Sequence, residues 1–306
     1  MRHLTIGVFH DEALGRELGK KGTESDIAMF NRKMDDCVFT FMSPVEDKLS
    51  AKSQIISTID VAIVVFNEMS RELGETIVML DMMGVKRGIG ITTPYANNDK
   101  ITAITKHTSL NTFSIEPKDP GRLLQILNGI QPERDTASAP IVEVDHSFSV
   151  KGVGEVILGF VKKGVVKKYD NLHLLPVNKE VTVRSIQIQD EDYEQAEAGT
   201  RVGLAIKGAS VEEMPRGSVL TNSPNVKSET DLEIQFKKSP FYADDIKEGA
   251  FHATLGMQTV PITIKAKSEG SIVLQSAKPI VREPAKPIIL LDLNAKKTRV
   301  MGNGTA

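Results

Sequence analysis

The residue types that most often perform chemistry are sparse and scattered in this sequence. His146, His173 and His252 lie far apart and lack the short spacings of metal ligands, so we expect ordinary surface or strand histidines. The only cysteine, Cys37, cannot form an intramolecular disulfide, and the valine and phenylalanines after it predict a buried strand. An inert thiol is therefore expected rather than a nucleophile. We predict no catalytic residue and no metal site.

The composition restricts the classes of partner. With 306 residues, 40% apolar and 25% charged, the chain is typical of globular proteins with two or three domains. A formal charge of -2 argues against coating nucleic acid by bulk electrostatics, so any RNA contact must be local, and no DNA partner is expected. No run approaches the ~20 apolar residues of a membrane span, and no signal-peptide pattern is present. We predict a soluble, cytoplasmic protein without a membrane partner.

The first 134 residues alternate between strand and helix patterns. Apolar runs predict strands at 4–9, 60–66, 88–93 and 112–116, with two more between residues 27 and 44. Helical periodicity appears at 14–20, 72–83, 99–107 and 121–127. Such alternation predicts an α/β domain over residues 1–134, built on a mostly parallel sheet with helices on both faces.

The remainder of the chain has a β pattern. Residues 135–140 are polar and contain a proline, which predicts a linker. From residue 141, β-branched runs alternate with glycines at intervals of about 8 to 12 residues, which predicts a small antiparallel barrel over 141–223. A second alternating pattern begins near residue 224, with strands expected at 231–236, 251–255, 260–266 and 271–274. The predicted fold is therefore α/β plus all-β, with two small β-barrels at 141–223 and 224–306.

Five segments of the first barrel carry a family resemblance: GVGEVILG at 152–159, KGVVK at 163–167, SIQ at 185–187, AEAGTRVGL at 196–204 and RGSVL at 216–220. Their order and spacing resemble the second domain of the translational GTPases, nearest to elongation factor Tu and the selenocysteine-specific elongation factor. The resemblance implies an archaeal paralogue with a degenerate, P-loop-type GTPase domain and two barrels. Tyr169 departs from the pattern, because the family usually has glycine before Asp170, and this raises the question of how the turn closes.

The phosphate-binding motif fails at the register that the resemblance implies. This motif requires G-x-x-x-x-G-K-[ST], in which glycines expose backbone N–H groups, lysine contacts the phosphates and a hydroxyl binds magnesium. The chain has HDEALGRE at 10–17, so only the second glycine is kept. Two carboxylates would each repel a phosphate charge by roughly 1 kcal/mol in water at 4 Å, and we expect them at a helix N-terminus. The altered positions are His10, Asp11, Glu12, Gly15, Arg16 and Glu17.

The other nucleotide motifs are replaced as well. Met42-Ser43-Pro44-Val45 stands where the family has Asp-x-Pro-Gly, so the magnesium aspartate and the phosphate-sensing glycine are absent. Thr92 and Thr93 begin the segment where Asn-Lys-x-Asp would read guanine. The long effector loop is missing, and residues 23–26 are expected to form a turn. We predict that GTPase activity is lost and that GTP and magnesium are not cofactors.

The resemblance also suggests RNA-binding residues. In the family, a pocket on the first barrel holds the aminoacyl end of a charged tRNA, and Gln187 falls where a side chain lies beside the terminal adenosine. The polar candidates for RNA contact are Arg184, Gln187, Arg201, Arg216, Lys237 and Lys238. The lysine pairs at 162–163, 167–168, 237–238 and 296–297 could together form a basic face.

Three functions are compatible with this sequence. The favoured prediction is an elongation-factor-like protein that no longer hydrolyses GTP and binds tRNA, the ribosome or a translation partner. The first alternative is a GTP-binding elongation factor that delivers aminoacyl-tRNA through an altered nucleotide pocket. The second is a regulatory scaffold without RNA contact. The sequence leaves open the oligomeric state and the arrangement of the domains.

Overall fold

The computed structural model describes residues 1–46 and 48–306. Its first part is an α/β domain. The elements in order are β1 (Arg2–Phe9), α1 (Glu12–Leu18), β2 (Lys20–Glu24), β3 (Ile27–Met34), β4 (Cys37–Pro44), α2 (Leu49–Ile56), β5 (Val61–Phe66), α3 (Arg71–Met82), β6 (Gly88–Thr92), α4 (Asn98–Thr105), β7 (Ser114–Glu116) and α5 (Pro120–Asn128).

The sheet of this domain has the order β2-β3-β4-β1-β5-β6-β7. Strands β4, β1, β5, β6 and β7 pair in parallel, while β2 and β3 extend the sheet as an antiparallel hairpin. Apolar residues of α2, α3 and α4 cover one face and those of α1 and α5 the other. The predicted α/β fold is confirmed, and Cys37 is buried as expected.

Two elements of this domain do not follow from the sequence pattern. Strand β2 has the polar sequence KKGTE and is almost entirely exposed, so no apolar alternation marks it. Helix α2 buries Lys52, Ser53 and Gln54 along with its apolar residues. These polar residues hide the helical pattern. Ser53 and Gln54 contact Thr254 and Thr259 of the second barrel, and Lys52 donates to the carbonyl of Glu72 within the α/β domain.

Two six-stranded barrels follow. The ring of the first is formed by six strands: β8 (Ile141–Val150), β9 (Gly154–Lys163), β11 (Asn171–Leu175), β12 (Lys179–Ile188), β15 (Arg201–Lys207) and β16 (Val219–Thr221). Three short strands lie outside the ring: β10 (Val165–Lys167) pairs with β14 (Gln195–Glu197), and β13 (Glu191–Tyr193) pairs with β12. Its sheet closes where β11 pairs with β12. The second contains β17 (Lys227–Lys238), β18 (Gly249–Leu255), β19 (Gln258–Ser268), β20 (Ser271–Arg282), β21 (Ile288–Leu291) and β22 (Val300–Thr305), closed in the order β17-β20-β19-β18-β21-β22. The two-barrel prediction is confirmed.

The turn between β10 and β11 closes without a glycine. Tyr169 takes the left-handed conformation with a φ of 70°, and its N–H donates to the carbonyl of Val183 at 2.7 Å. A carboxylate oxygen of Asp170 accepts the N–H of Lys167 at 2.7 Å. The backbone geometry that glycine would supply is therefore adopted by a tyrosine.

The α/β domain packs directly on both barrels. Helix α2 lies against the second barrel, where the hydroxyls of Ser53 and Thr254 are 2.9 Å apart. Met257, Leu291 and Val300 of that barrel belong to the same apolar core as α2 and α3. Between α5 and β8, the guanidinium of Arg134 contacts both carboxylate oxygens of Asp60 at 2.7 Å. The whole chain is thus a single packed unit.

The predicted domain limits at residues 134, 140 and 223 stay predictions. The first two lie between the end of α5 and the start of β8, and the third lies between β16 and β17. In the described part of the chain, no helix combines the length and apolarity that crossing a bilayer requires.

Candidate functional site

The loop that would hold phosphates begins at the end of β1 with a strained histidine. His10 has a φ of 67°, and its Nε2 lies 2.9 Å from the hydroxyl of Thr76 on α3. Its carbonyl accepts a hydrogen bond from Asn67 at 3.2 Å. The histidine that replaces the first glycine of the motif is thus tied to two neighbouring segments of the α/β domain.

The first turn of α1 is occupied by the protein's own charges. Asp11 is the N-cap, and its carboxylate accepts the N–H of Leu14 at 3.0 Å and the ammonium of Lys118 at 2.6 Å. This hydrogen bond with Asp11 raises the pKa of Lys118. Glu12 pairs with Arg16 at 2.5 Å, while Glu17 lies 3.6 Å from Lys118. The expectation that Asp11 and Glu12 lie at a helix N-terminus is confirmed.

The residues of this loop do not fit a nucleoside triphosphate with bound magnesium. The carboxylate of Asp11 already accepts from the N–H group that a phosphate would need, and its charge has the wrong sign. Gly15 packs against Phe30, where a Cβ would approach the ring to 2.8 Å, so it serves packing rather than a phosphate cradle. Ser43 is fully buried at the position that corresponds to the magnesium motif. Thr93 donates its hydroxyl to the carbonyl of Phe66 at 3.3 Å.

A second candidate site is a cleft of about 390 Å³ between the β2–β3 hairpin and the first barrel. Lys20 and Lys21 form its wall on the α/β domain, and Gln187 and Arg201 are among the residues on the barrel side. Asp190 is the acidic residue among those that line it. The ammonium of Lys21 pairs with Glu24 at 2.6 Å, whereas Lys20 is exposed. The amide of Gln187 donates to Asp192 at 2.9 Å at the exposed surface. The structure therefore brings together Gln187 and Arg201 of the six RNA candidates.

Arg201 and Arg216 hold the first barrel to the α/β domain. Arg201 donates to the hydroxyl of Thr23 at 2.9 Å and lies near Asp145. Burial lowers the pKa of Arg201, and the charge of Asp145 opposes this effect. Arg216 donates to Asp26 at 2.5 Å and to the hydroxyl of Ser25 at 2.7 Å. Arg216 therefore contacts residues 23–26 across the interface and does not line the cleft.

The carboxylate of Asp26 stays ionised in this interface. Burial opposes its ionisation, but the hydrogen bond and the charge of Arg216 outweigh burial and lower the pKa of Asp26. The ion pair between Asp26 and Arg216 therefore persists to a lower pH than the ordinary pKa of an aspartate would allow. The turn predicted over residues 23–26 is therefore wrong for Thr23 and Glu24, which belong to β2, and the segment anchors the first barrel.

The remaining RNA candidates lie apart from the cleft. Arg184 is exposed at a bulge of β12, between the paired residues Val183 and Ser185. Lys237 and Lys238 are exposed at the end of β17 in the second barrel, and the ammonium of Lys238 lies 5.6 Å from the ring centre of Tyr242. The structure does not gather these three residues with Gln187.

One of the four lysine pairs of the expected basic face, residues 162–163, lies at the junction between domains. The ammonium of Lys162 is buried between domains and donates to the carbonyl of Thr58 at 2.9 Å, and burial lowers its pKa. Lys163 forms an ion pair with Glu283 of the second barrel. Both side chains contact other parts of the protein at the junction of the domains, and the burial of Lys162 removes it from a basic face.

Sequence reasoning missed Lys20, Lys21 and Asp190 as lining residues of the cleft. The paired lysines before Gly22 were the available signal. Because this segment is polar and lacks apolar alternation, the sequence did not predict a strand that lines a cleft. Asp190 lies in the turn after β12 with a φ of 63°. Its place beside the lysines depends on the docking of the barrel.

Comparison with known proteins places this architecture in a family. The family model for elongation factor Tu domain 2 matches residues 154–221, most of the first barrel. The "Uncharacterized protein MJ0325" of Methanocaldococcus jannaschii is 36% identical over 308 residues, covering 99% of both chains. The selenocysteine-specific elongation factor of the same organism is 35% identical over 169 residues, covering 55% of this chain and 35% of that protein.

This chain belongs to the translational GTPase family.

A solved structure extends the likeness of this family member to the whole fold. Translation elongation factor SelB from Methanococcus maripaludis, in complex with the GTP analogue GPPNHP, aligns with a TM-score of 0.85 at 22% identity. The alignment covers 100% of this chain and 79% of that one. The α/β domain and both barrels of this translational GTPase relative therefore have the elongation factor architecture.

Proposed function

We propose that this protein is an elongation-factor-like binding module that holds the single-stranded end of a tRNA without hydrolysing GTP. The observation that carries the proposal is the pairing of Asp11 with Lys118 at 2.6 Å at the start of α1. A cation and a carboxylate fill the place where a phosphate would be held, while the cleft on the first barrel stays open. In this proposal the protein binds its ligand on the first barrel and not at the nucleotide site.

The chemistry of the cleft supports an RNA end as its ligand. Its volume of about 390 Å³ lies in the range of roughly 300 to 1,000 Å³ of small-molecule sites, which suffices for a nucleotide. Lys20 and Lys21 can contact phosphates, and the amide of Gln187 can hydrogen-bond the edge of a base. Asp190 can accept a hydrogen bond from the amino group of an aminoacyl ester. Such a cleft favours charged over uncharged tRNA.

A nucleotide titration tests the first half of this proposal. We expect calorimetry with GTP or GDP, in the presence of magnesium, to show no binding in the micromolar range. Magnesium-dependent micromolar affinity for GTP would overturn the proposal and favour the alternative of a GTP-binding factor that delivers aminoacyl-tRNA through an altered pocket. Loss of GTPase activity follows from the same reasoning, so the expected turnover of GTP is at background level.

A filter-binding assay with charged and uncharged tRNA tests the second half. The double variant K20A/K21A should reduce affinity about tenfold and lower the salt slope by about 2, because two phosphate contacts are removed. The double variant K237A/K238A removes the same charge from the second barrel and serves as the matched control. Equal losses in both variants would indicate diffuse attraction rather than a cleft.

The relatives supply the biological setting of the proposal. The selenocysteine-specific elongation factor is similar over 55% of this chain, so a role beside tRNA or the ribosome in the cytoplasm is proposed for this protein too. If the wild-type protein retains neither charged nor uncharged tRNA on the filter, only the regulatory scaffold remains.

A further inference from the structure

An exposed aromatic residue occupies a turn whose backbone favours glycine. Tyr169 has a φ of 70°, and 65% of its surface is exposed. It lies between β10 and β11, at the outer surface of the first barrel. Neither its burial nor its backbone conformation explains why a tyrosine stands there.

The conformation of Tyr169 has an energetic cost. A left-handed backbone brings the Cβ of an L-residue close to the carbonyl oxygen that follows, and a bulky residue there is an outlier. Glycine would adopt the same φ without strain. Residues with a strained backbone are concentrated at functional sites. The ring of Tyr169 is therefore a candidate for function.

One cationic side chain lies over this ring, and two others are close to it in the fold. The ammonium of Lys168 lies 5.3 Å from the ring centre of Tyr169, and Lys167 is exposed at the end of β10. The N–H of Tyr169 donates to the carbonyl of Val183, the residue immediately before the exposed Arg184. The backbone therefore places Arg184 next to the turn.

Two acidic side chains belong to the same surface. Glu194 accepts from Lys168 at 3.2 Å, and its side chain is 82% exposed. Asp170 is engaged with the backbone of Lys167 inside the turn. Because the pair between Lys168 and Glu194 is exposed, it is worth little and can be displaced by a ligand. Lys167 and Arg184 form no ion pair among the described residues.

We propose that Tyr169 is a stacking platform for an unpaired base of single-stranded RNA, with Lys167 and Arg184 contacting the adjoining phosphates. A single exposed ring beside cations suits a nucleotide, since a base stacks on the ring and its phosphates need positive charge. A peptide ligand would require a larger apolar patch than one tyrosine supplies. The choice of RNA as the partner rests on the proposed function.

The platform is separate from the cleft, although its Arg184 lies on the same strand as Gln187. Arg184 and Gln187 are three residues apart on β12, which corresponds to about 10 Å along the strand. An RNA strand could therefore contact both places or either one alone. This separation allows the two proposals to fail independently.

The absence of tryptophan from the sequence permits a direct optical test. The variant Y169W carries a single indole in the platform, and titration with a short oligoadenylate should quench its fluorescence. The control Y95W places the indole at another exposed tyrosine, 78% accessible, and should show no saturable quenching. A duplex RNA of equal length should not quench Y169W, because its bases are already stacked.

The variant Y169G separates binding from folding. Glycine removes the ring and the backbone strain together, so we expect a melting temperature at or above that of the wild type. Affinity for the oligoadenylate should fall about 5- to 100-fold, as expected for the loss of one base–aromatic stack. The variant R184A should lower the salt slope by about 1. Unchanged affinity in Y169G would overturn the platform, and a protein partner would then have to be sought.

Testing both probes on both sets of variants distinguishes the two proposals. If K20A/K21A weakens tRNA binding while Y169G matches the wild type on both probes, the platform is wrong and the proposed function stands. If Y169G loses the oligoadenylate while K20A/K21A retains tRNA fully, the platform stands and the cleft is wrong. If the wild type binds neither RNA, both proposals fail.

Discussion

At the scale of single residues, His3 shows how burial and neighbouring positive charges set a charge state. Its imidazole lies at the start of β1, and its carbonyl accepts a hydrogen bond from Arg134 at 2.8 Å. Burial, together with the positive charges of the amino terminus and of Arg134, lowers the pKa of His3 to about 4. The folded protein therefore keeps this histidine neutral.

The stability of the protein should depend on pH through His3. The pKa of His3 is about 4 in the folded state and about 6.5 when unfolded, so the unfolded state binds the proton more readily between these values. The stabilisation is fully present above about pH 6.5 and is lost as the pH falls to 4. We expect a loss of roughly 2 to 3 kcal/mol, measured as the free energy of unfolding in urea.

The variant H3Q should flatten this part of the pH profile, because it has no group to protonate. H173Q, which removes an exposed histidine on β11, is the matched control and should follow the wild type. Since carboxylates also titrate near pH 4, the difference between the two variants is the informative quantity. Parallel profiles for H3Q and H173Q would show that His3 is not responsible.

At the scale of elements, α3 is joined to the second barrel by one buried carboxylate. Glu75 has no exposed surface, and it accepts hydrogen bonds from the backbone N–H of Arg299 at 2.8 Å and from its guanidinium at 2.9 Å and 2.5 Å. Arg299 directly precedes β22, and Asn303 of that strand also donates to the carbonyl of Met82 on α3. The helix and strand are therefore docked by polar contacts as well as by the shared apolar core.

The variant E75Q should lower the free energy of unfolding by about 3 kcal/mol, because it removes a buried carboxylate charge that accepts three hydrogen bonds from Arg299. E72Q on the same helix changes a side chain that is 40% exposed and should cost less than about 0.5 kcal/mol. Denaturant titration followed by circular dichroism measures both. Equal effects of the two variants would show that the contact with Arg299 adds nothing beyond helix propensity.

At the scale of the whole molecule, charged side chains join the three parts to one another. Arg216 joins the first barrel to Asp26, Glu75 joins α3 to the second barrel, and Lys286 of the second barrel pairs with Glu143 of the first. Each of the three interfaces between the domains thus contains an ion pair between side chains. These contacts lead us to expect that the arrangement of the three parts does not depend on nucleotide.

The relative position of the α/β domain and the second barrel should not respond to nucleotide. Spin labels at K106C and E269C report this distance, and labelling is selective because Cys37 is buried. We expect the same distance distribution with magnesium and GTP, with GDP and with neither. Adding R216A, which removes a contact between domains, should broaden the distribution between the α/β domain and the first barrel, measured from K106C to K207C. A shift with GTP in the wild-type background would show that the nucleotide switch survives.

The sequence by itself determined the two barrels and the altered nucleotide loop. Glycine spacing and β-branched alternation act locally, and so does the N-cap at Asp11, so both could be predicted from neighbouring residues. Tertiary structure alone decided what the charged residues do. Arg216 and Asp26 are 190 positions apart, and Lys162 and Thr58 are 104 apart, so their pairing depends on how domains dock. Burial of a charge is a property of that docking, which no local pattern encodes.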